Sequence, residues 1–307
     1  MKKYIVTGGA GFIGSHLVDK IIENGNKAVV IDNLSTGKKQ NLNPKADFFQ
    51  LDICNFEKIK PLFSGADGVF HLAAIASVPF SVENPLLTTK VNVSGTVNVF
   101  KSASENKVKR VVFASSSSVY GDQGQLPLKE KMVPNPKSPY ALQKLVGEQF
   151  AIMFKDLYKM PIVCLRYFNV YGPRIDFNSD YSLVLGKFLK LKSENKPLTI
   201  FGTGEQTRGF CYVSDVVSST IMAMESEKIM GGEVINISHK KSYSVNYLAR
   251  LIGGKIQHLP QRQGDVLHTK ADIALAKKLL GWEPKVNFSE GVEATKKWFP
   301  KINRQKL

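Results

Sequence analysis

The chain has 307 residues, 43% of them hydrophobic and 22% charged, with three cysteines and a formal net charge of +16. This composition excludes a disordered chain or a disulfide-stapled miniprotein, and the length suits one large or two modest domains. No apolar run approaches the roughly 20 residues of a membrane helix, and glycines at 8, 9 and 11 interrupt the segment behind Met1-Lys2-Lys3, so neither a membrane span nor a signal peptide is expected.

In chain order, Lys3–Thr7 is a β-branched run ending in a glycine-rich turn, and Phe12–Asn24 has helical spacing closed by Gly25. Strands are predicted at Ala28–Ile31, Phe48–Leu51 and Val69–Leu72, with a helix around Phe56–Phe63. A helix at Asn92–Glu105 precedes a strand at Arg110–Ala114. Ser138-Pro139 then supplies an N-cap and a proline at the first position of a helix running to Tyr158. Ile162–Tyr167 is a further strand, the Pro, Gly and Asn residues of 172–180 lead the chain away, and Val234–Ile237 returns to the sheet. Strands alternating with helices imply a doubly wound, parallel α/β sheet of Rossmann type. The expected organisation is a dinucleotide-binding domain over 1–171, rejoined by 209–238, with a smaller mixed α/β substrate lobe from 172–208 and 239–307. That lobe takes in Leu279-Leu280-Gly281-Trp282 and a final helix near Gly291–Trp298.

A basic balance points to nucleic acid, an anionic membrane surface or acidic small substrates. The lysines, as in Lys107-Val108-Lys109-Arg110, read as solvated faces with no polybasic arm and no interleaved stacking aromatics, so neither a nucleic-acid nor a membrane partner is expected. Cys54, Cys164 and Cys211 have no metal-ligand spacing; no metal site is expected, and unpaired thiols suit a reducing, cytoplasmic setting.

Gly8-Gly9-Ala10-Gly11-Phe12-Ile13-Gly14 lies between a predicted strand and a predicted helix, the placement that makes a glycine fingerprint specific. Gly8 permits the tight turn, Gly11 lets the backbone approach a pyrophosphate, and Gly14 lets helix and strand pack closely. Free N–H groups and the helix dipole then favour the phosphate charge. Asp32, at the end of the second strand, suits the ribose hydroxyls of NAD and would repel the 2′-phosphate of NADP. The next residues, Asn33-Leu34-Ser35, add no arginine. Asp52 either reaches the adenine or simply caps the end of the third strand.

Tyr140 and Lys144 are an i, i+4 pair on one helix face. A phenol with a pKa near 10 is a poor base at neutral pH; a neighbouring ammonium and a positive nicotinamide ring would bring it down. The pair follows a strand ending in Ser115-Ser116-Ser117-Ser118-Val119-Tyr120-Gly121, which can aim a hydroxyl at the same place.

These motifs, with His71-Leu72-Ala73-Ala74, Asn92-Val93-Ser94-Gly95-Thr96, Arg166-Tyr167-Phe168-Asn169-Val170-Tyr171-Gly172, Gly202–Arg208 and Arg262-Gln263-Gly264-Asp265, run nearly end to end. The chain resembles the extended short-chain dehydrogenases/reductases of the NAD-dependent epimerase/dehydratase family, and among them the UDP-hexose 4-epimerases. The resemblance implies that Tyr140 takes the proton of the sugar 4-hydroxyl while C4 passes hydride to a tightly held NAD. Lys144 would hold the nicotinamide ribose and tune Tyr140, and Ser116 would bond the 4-oxygen. It further implies cofactor contacts from Phe12, Ile13, Asn33, Ile53, Leu72, Ala73, Ala74 and Tyr167. Arg208 and Arg262 would clamp the diphosphate bidentately, Asn169 would contact it, Asp265 would hold the nucleoside ribose, and Ser117 would line the sugar. Ser77 either lines the sugar too or serves packing. A homodimer built on the helices around Asn92–Glu105 and Ser138–Tyr158 is also implied.

Two positions bear on the reaction. Dehydratases of this superfamily carry Asp-Glu where Ser117 and Ser118 stand, and hydroxyls serve elimination poorly. Thr269, four after Asp265, replaces the bulky tyrosine of plain-hexose epimerases and leaves room for an N-acetyl group, implying UDP-N-acetylglucosamine and UDP-N-acetylgalactosamine besides UDP-glucose and UDP-galactose. Enzymes of UDP-glucuronate share the serine run and remain a second reading. A net nucleotide-sugar oxidoreductase and a non-catalytic, basic NAD-fold protein that binds RNA or senses redox state complete the alternatives. One departure stands out: the family usually has Asp after the arginine at 208, and this chain has Gly209, which leaves open how Arg208 is oriented.

Overall fold

A computed structural model describes residues 1–177, 184–261 and 267–303. Six strands, β1 (Lys3–Thr7), β2 (Lys27–Ile31), β3 (Asp47–Phe49), β4 (Gly68–His71), β5 (Val111–Ser116) and β6 (Ile162–Tyr167), share one sheet with a seventh at Val234–Ile237. Across the sheet the order is β3, β2, β1, β4, β5, β6 and then the Val234–Ile237 strand, every pair parallel. This is the doubly wound arrangement that the alternating pattern implied. Helices cover both faces, so the strands are apolar on both: β1 buries Tyr4 and Val6 on one side and Ile5 on the other. The first face packs against the Phe12–Glu23 and Val213–Glu225 helices, the second against Thr96–Glu105 and Pro139–Tyr158. Strand order reverses between β1 and β4, which opens a crevice at their carboxyl ends.

The third strand stops at Phe49 rather than Leu51, because its register with β2 ends at the Ile31–Phe49 pair. The helix expected from Asn92 begins earlier, at Pro85–Thr89, and passes through a π-helical stretch at Lys90–Gly95 before Thr96–Glu105. The Ala274–Leu280 helix and Trp282, expected in the smaller lobe, instead join the core of the central sheet. Trp282 is 2% exposed and donates its indole N–H to the Asp215 carbonyl, so burying that ring decides where the segment docks.

A separate core gathers Phe188, Leu189, Leu198, Leu248, Ile252, Phe288 and Val292. It is built from the Val184–Ser193, Val245–Ile252 and Phe288–Asn303 helices and a parallel pair, Leu198–Phe201 with Ile256–Leu259. A strap over 267–272 links this core to the segment between β5 and the Pro139–Tyr158 helix: Leu128 N–H donates to Lys270 O at 2.7 Å, and Asp272 N–H to Leu128 O at 2.9 Å. Among the described residues no helix is long and apolar enough to cross a membrane.

Candidate active site

The glycine loop joins β1 to the Phe12–Glu23 helix. Gly8 sits at φ +74° with its Cα against Ala73, where a Cβ would come within 2.7 Å of the Ala73 nitrogen. At Gly14 a Cβ would collide with the Gly8 carbonyl oxygen. Gly11 occupies the N-cap without a side-chain bond, and the first turn holds no acid, so the N–H groups at the helix start are open to an anion. Asp32, 8% exposed, accepts from Ala10 N–H at 3.0 Å and Leu34 N–H at 2.8 Å, which fixes its carboxylate beside the loop. Asn33 donates to Asp52 at 3.2 Å. Burial alone would raise the Asp52 carboxyl, but hydrogen bonds from Cys54 and Asn33 and the charge of Lys90 hold it below the usual range. These groups fit a dinucleotide: a cradle that a Cβ would fill, an open helix start, and a fixed carboxylate at the end of β2.

Behind the loop runs a chain of hydroxyls. Ala73 N–H donates to Thr7 Oγ1 at 3.3 Å, and Thr7 Oγ1 meets His71 Nδ1 at 2.7 Å. His71 Nε2 meets Thr96 Oγ1 at 2.9 Å, and that hydroxyl donates to Asn92 O at 2.7 Å. Since the Thr96 proton is committed to Asn92, it is His71 Nε2–H that donates to Thr96, and Nδ1 accepts from Thr7. Full burial and, secondarily, the charge of Lys144 push the His71 pKa down to about 3, so the ring is neutral. This network sets the Leu72-Ala73 edge of the crevice.

The catalytic candidates converge at the carboxyl end of β5. Ser138 caps the Pro139–Tyr158 helix by accepting from Ala141 N–H, and Ser81 accepts from Tyr140 N–H at 3.1 Å, fixing the first turn. Ser116 Oγ accepts from Ser118 N–H at 3.2 Å and Ser118 O–H at 2.9 Å. With both lone pairs taken by Ser118, the Ser116 proton is left for the Tyr140 phenol, whose ionisation the Ser116 hydroxyl favours. Lys144, 4% exposed, donates to Ala114 O at 2.7 Å, with its ammonium 5.9 Å from the Tyr140 ring centre and 4.8 Å from that of Phe113.

The sequence names two positive groups near Tyr140, the Lys144 ammonium and a nicotinamide ring, and without the second the phenol stays neutral. Burial raises the Tyr140 pKa, and the Ser116 hydroxyl opposes it only in part. Burial also brings Lys144 down to about 8, against the charge of Glu148. A dry pocket disfavours both charged forms, so a phenolate here needs further positive charge, which a bound nicotinamide ring supplies.

A third cluster lies across the crevice. Arg208, on a short strand at Thr207–Gly209, turns Nη1 to Thr207 O and Leu267 O at 3.1 and 3.0 Å. Asn169, held at φ 27°, donates to Gly209 O at 2.8 Å, and Gly209 N–H donates to Thr269 Oγ1 at 3.1 Å. Beside them is a cavity of about 190 Å³ lined by Phe201, Thr203, Gln206, Gln261, Leu267 and His268.

The NAD dependent epimerase/dehydratase family matches residues 4–238. The chain belongs to this family. It is 40% identical to a putative UDP-glucose 4-epimerase of Methanocaldococcus jannaschii, with 98% of this chain and 99% of that one covered. It is 38% identical to a UDP-glucuronate 4-epimerase of Thermodesulfobacterium geofontis, covering 97% and 96%. A solved UDP-N-acetylglucosamine 4-epimerase of Methanobrevibacter ruminantium, in complex with UDP-N-acetylmuramic acid, superposes with a TM-score of 0.93 at 38% identity over 98% and 99%. As a member of the NAD-dependent epimerase/dehydratase family, the chain is an enzyme with NAD as its cofactor.

Other residues singled out in the sequence have structural partners of their own. Tyr167 is 7% exposed, and its hydroxyl pairs with Thr220 at 2.7 Å, so the side chain belongs to the core. Ile53 is buried beneath Gly95 and its carbonyl is bonded by Asn98, so it supports the Asp52 loop from below. Ser77 caps the Val78–Glu83 helix by accepting from Phe80 N–H. Phe12, Ile13, Ala74 and Ser117 are half-buried. Arg262 and Asp265 lie outside the described residues. Residue-by-residue reading missed Ser81, which steadies Tyr140, and Gln143, which donates to Thr88 and Thr89 and accepts from Asn92 at 2.8 Å. It also missed Phe201, although the Gly202–Arg208 motif begins at the next residue.

Proposed function

We propose that the chain is a 4-epimerase of UDP-hexoses that works through a 4-keto sugar and accepts N-acetylated as well as plain hexoses. The observation that carries the reading is the Ser116–Tyr140–Lys144 group at the rim of the cofactor crevice, followed by hydroxyls and not by an acid–base pair. NAD, when bound, supplies the hydride acceptor and donor for C4. Tyr140 Oη takes the 4-hydroxyl proton and later returns it, Ser116 Oγ steadies the 4-oxygen, and Lys144 Nζ supports the phenolate. Asn169, Arg208, Arg262 and Asp265 hold the diphosphate and ribose, and the cavity beside Phe201 has room for a pyrimidine ring. Clamping the nucleotide while leaving the hexose loosely held lets the keto sugar present its other face.

Thr269 is half-buried at the edge of this cluster, and its small size supports the N-acetyl reading; Thr269→Tyr is expected to lower the acetylated-to-plain rate ratio. UDP-glucuronate is the second reading, favoured by the serine run and the 38% identity to a UDP-glucuronate 4-epimerase. We also propose a homodimer, supported by Leu142, Ile152, Met153 and Leu157 exposed on the Pro139–Tyr158 helix, and a two-lobed division with 172–208 and most of 239–307 forming the nucleotide-sugar lobe.

The test follows C4 configuration by proton NMR in UDP-N-acetylglucosamine, UDP-glucose and UDP-glucuronate, with no NAD added. Epimer formation without free NADH is expected. NADH appearing stoichiometrically with product, or formation of a UDP-pentose with release of carbon dioxide, overturns the reading.

A further inference from the structure

Gly209 stands where the family usually has a carboxylate beside the arginine, and the structure shows what orders that arginine instead. The Gly209 peptide is gripped from both sides, its carbonyl by Asn169 Nδ2 at 2.8 Å and its N–H by Thr269 Oγ1 at 3.1 Å. The main chain of Thr269 is itself fixed at both its N–H and its carbonyl, in the strap over 267–272. Its N–H donates to Thr207 O at 3.0 Å and its carbonyl accepts from Ser242 Oγ at 2.7 Å. Two residues earlier in the same strap, the Leu267 carbonyl accepts from Arg208 Nη1 at 3.0 Å. The strand behind Arg208 is seated so deeply that a Cβ at 209 would lie 2.8 Å from Ser238 Oγ, a buried hydroxyl without a partner. With glycine at 209, no side chain from that position orients Arg208.

We infer that Thr269 is a positioning residue whose hydroxyl, by holding the Gly209 amide against the strap, sets Arg208 for the diphosphate of a nucleotide ligand. This deepens the nucleotide-sugar reading and rests on it, but it assigns Thr269 a task separate from leaving space beside the sugar. Size alone makes valine an adequate replacement, since it matches threonine in shape. A hydroxyl that accepts from Gly209 makes valine harmful and serine adequate, because valine leaves a half-buried donor unmade. The geometry also places the damage: on the affinity for the diphosphate, not on proton transfer at Tyr140.

The experiment is calorimetric titration of the NAD-loaded protein with UDP alone, on the parent, Thr269→Val and Thr269→Ser, beside steady-state kinetics with a UDP-hexose. Thr269→Val is expected to weaken UDP by about 5- to 30-fold, the consequence of one unmade buried bond. KM should rise by a similar factor, more than kcat falls, and Thr269→Ser should bind within a few-fold of the parent. Thermal unfolding of all three separates this from a folding defect. Equal UDP affinity in the parent and the valine variant overturns the inference while leaving the epimerase reading intact, as does an equal loss in valine and serine. A parent that does not bind UDP at all overturns the nucleotide-sugar reading and this inference together.

Discussion

Replacing Lys144 by methionine should make the enzyme slower and the protein more stable. The ammonium lies 5.9 Å from the Tyr140 ring centre. Once a bound nicotinamide ring brings the phenol below the Lys144 value of about 8, that ammonium is still charged. At an effective dielectric of about 20, a unit charge at that distance then favours the phenolate by about 3 kcal/mol, or about two pH units of phenol acidity. Lys144→Met should therefore move the acid limb of the pH–rate profile about two units upward and lower the rate at neutral pH by about 100-fold. The stability effect has the opposite sign. Burial takes the lysine from 10.5 to about 8, a penalty on the charged form of about 3 kcal/mol at neutral pH. Losing the bond to Ala114 O gives back about 1 kcal/mol, leaving a net gain of about 2 kcal/mol and a melting temperature a few degrees higher. Between pH 8 and 10.5 the unfolded parent holds a proton that the folded parent has released, so parent stability rises with pH in that window and the variant's does not. The assay pairs pH–rate profiles with thermal unfolding across pH. An unshifted acid limb, or a variant that melts below the parent throughout, refutes the reasoning.

Two further outcomes test the scaffold around the site. His71, held near 3 when folded against 6.5 when free, contributes stability present above pH 6.5 and lost as pH falls toward 3; by pH 4.5 the loss is about 3 kcal/mol. His71→Gln should flatten the dependence of melting temperature on pH between 6.5 and 4, and an unchanged slope would contradict the assignment. Glu148 accepts from Ser115 and from Arg166 Nε and Nη2, all buried. Glu148→Gln leaves that guanidinium without its counter-charge and should destabilise by about 3–5 kcal/mol in urea titrations; a loss below about 1 kcal/mol would show the pair to be dispensable.

What the sequence made legible is local. The strand β1, the turn at Gly8 and the open helix start at Gly11 are contiguous, so spacing alone reveals them. Tyr140 and Lys144 share a helix face, and Ser138-Pro139 marks its start. What the sequence did not reveal is carried by contacts between distant segments: Ser81 with Tyr140, Asn92 with Gln143, and Gly209 with Thr269 are 59, 51 and 60 residues apart. No periodicity encodes which serine meets which amide across a sheet. Trp282 was misplaced for the same reason, since its tail position says nothing of the Asp215 carbonyl that receives its N–H. The weight of burial at Tyr140 is hidden from the sequence for a different reason. A spacing rule brings an ammonium near a phenol but carries no measure of the burial that weakens both charges.

The most direct test of the account is Tyr140→Phe, purified with its cofactor and shown to bind UDP as the parent does. With the phenol gone and the clamp intact, interconversion of the C4 epimers should fall by a factor of 100 or more, the order of a lost acid–base group. A variant that still interconverts them at the parent's rate contradicts the assignment of Tyr140 as the base.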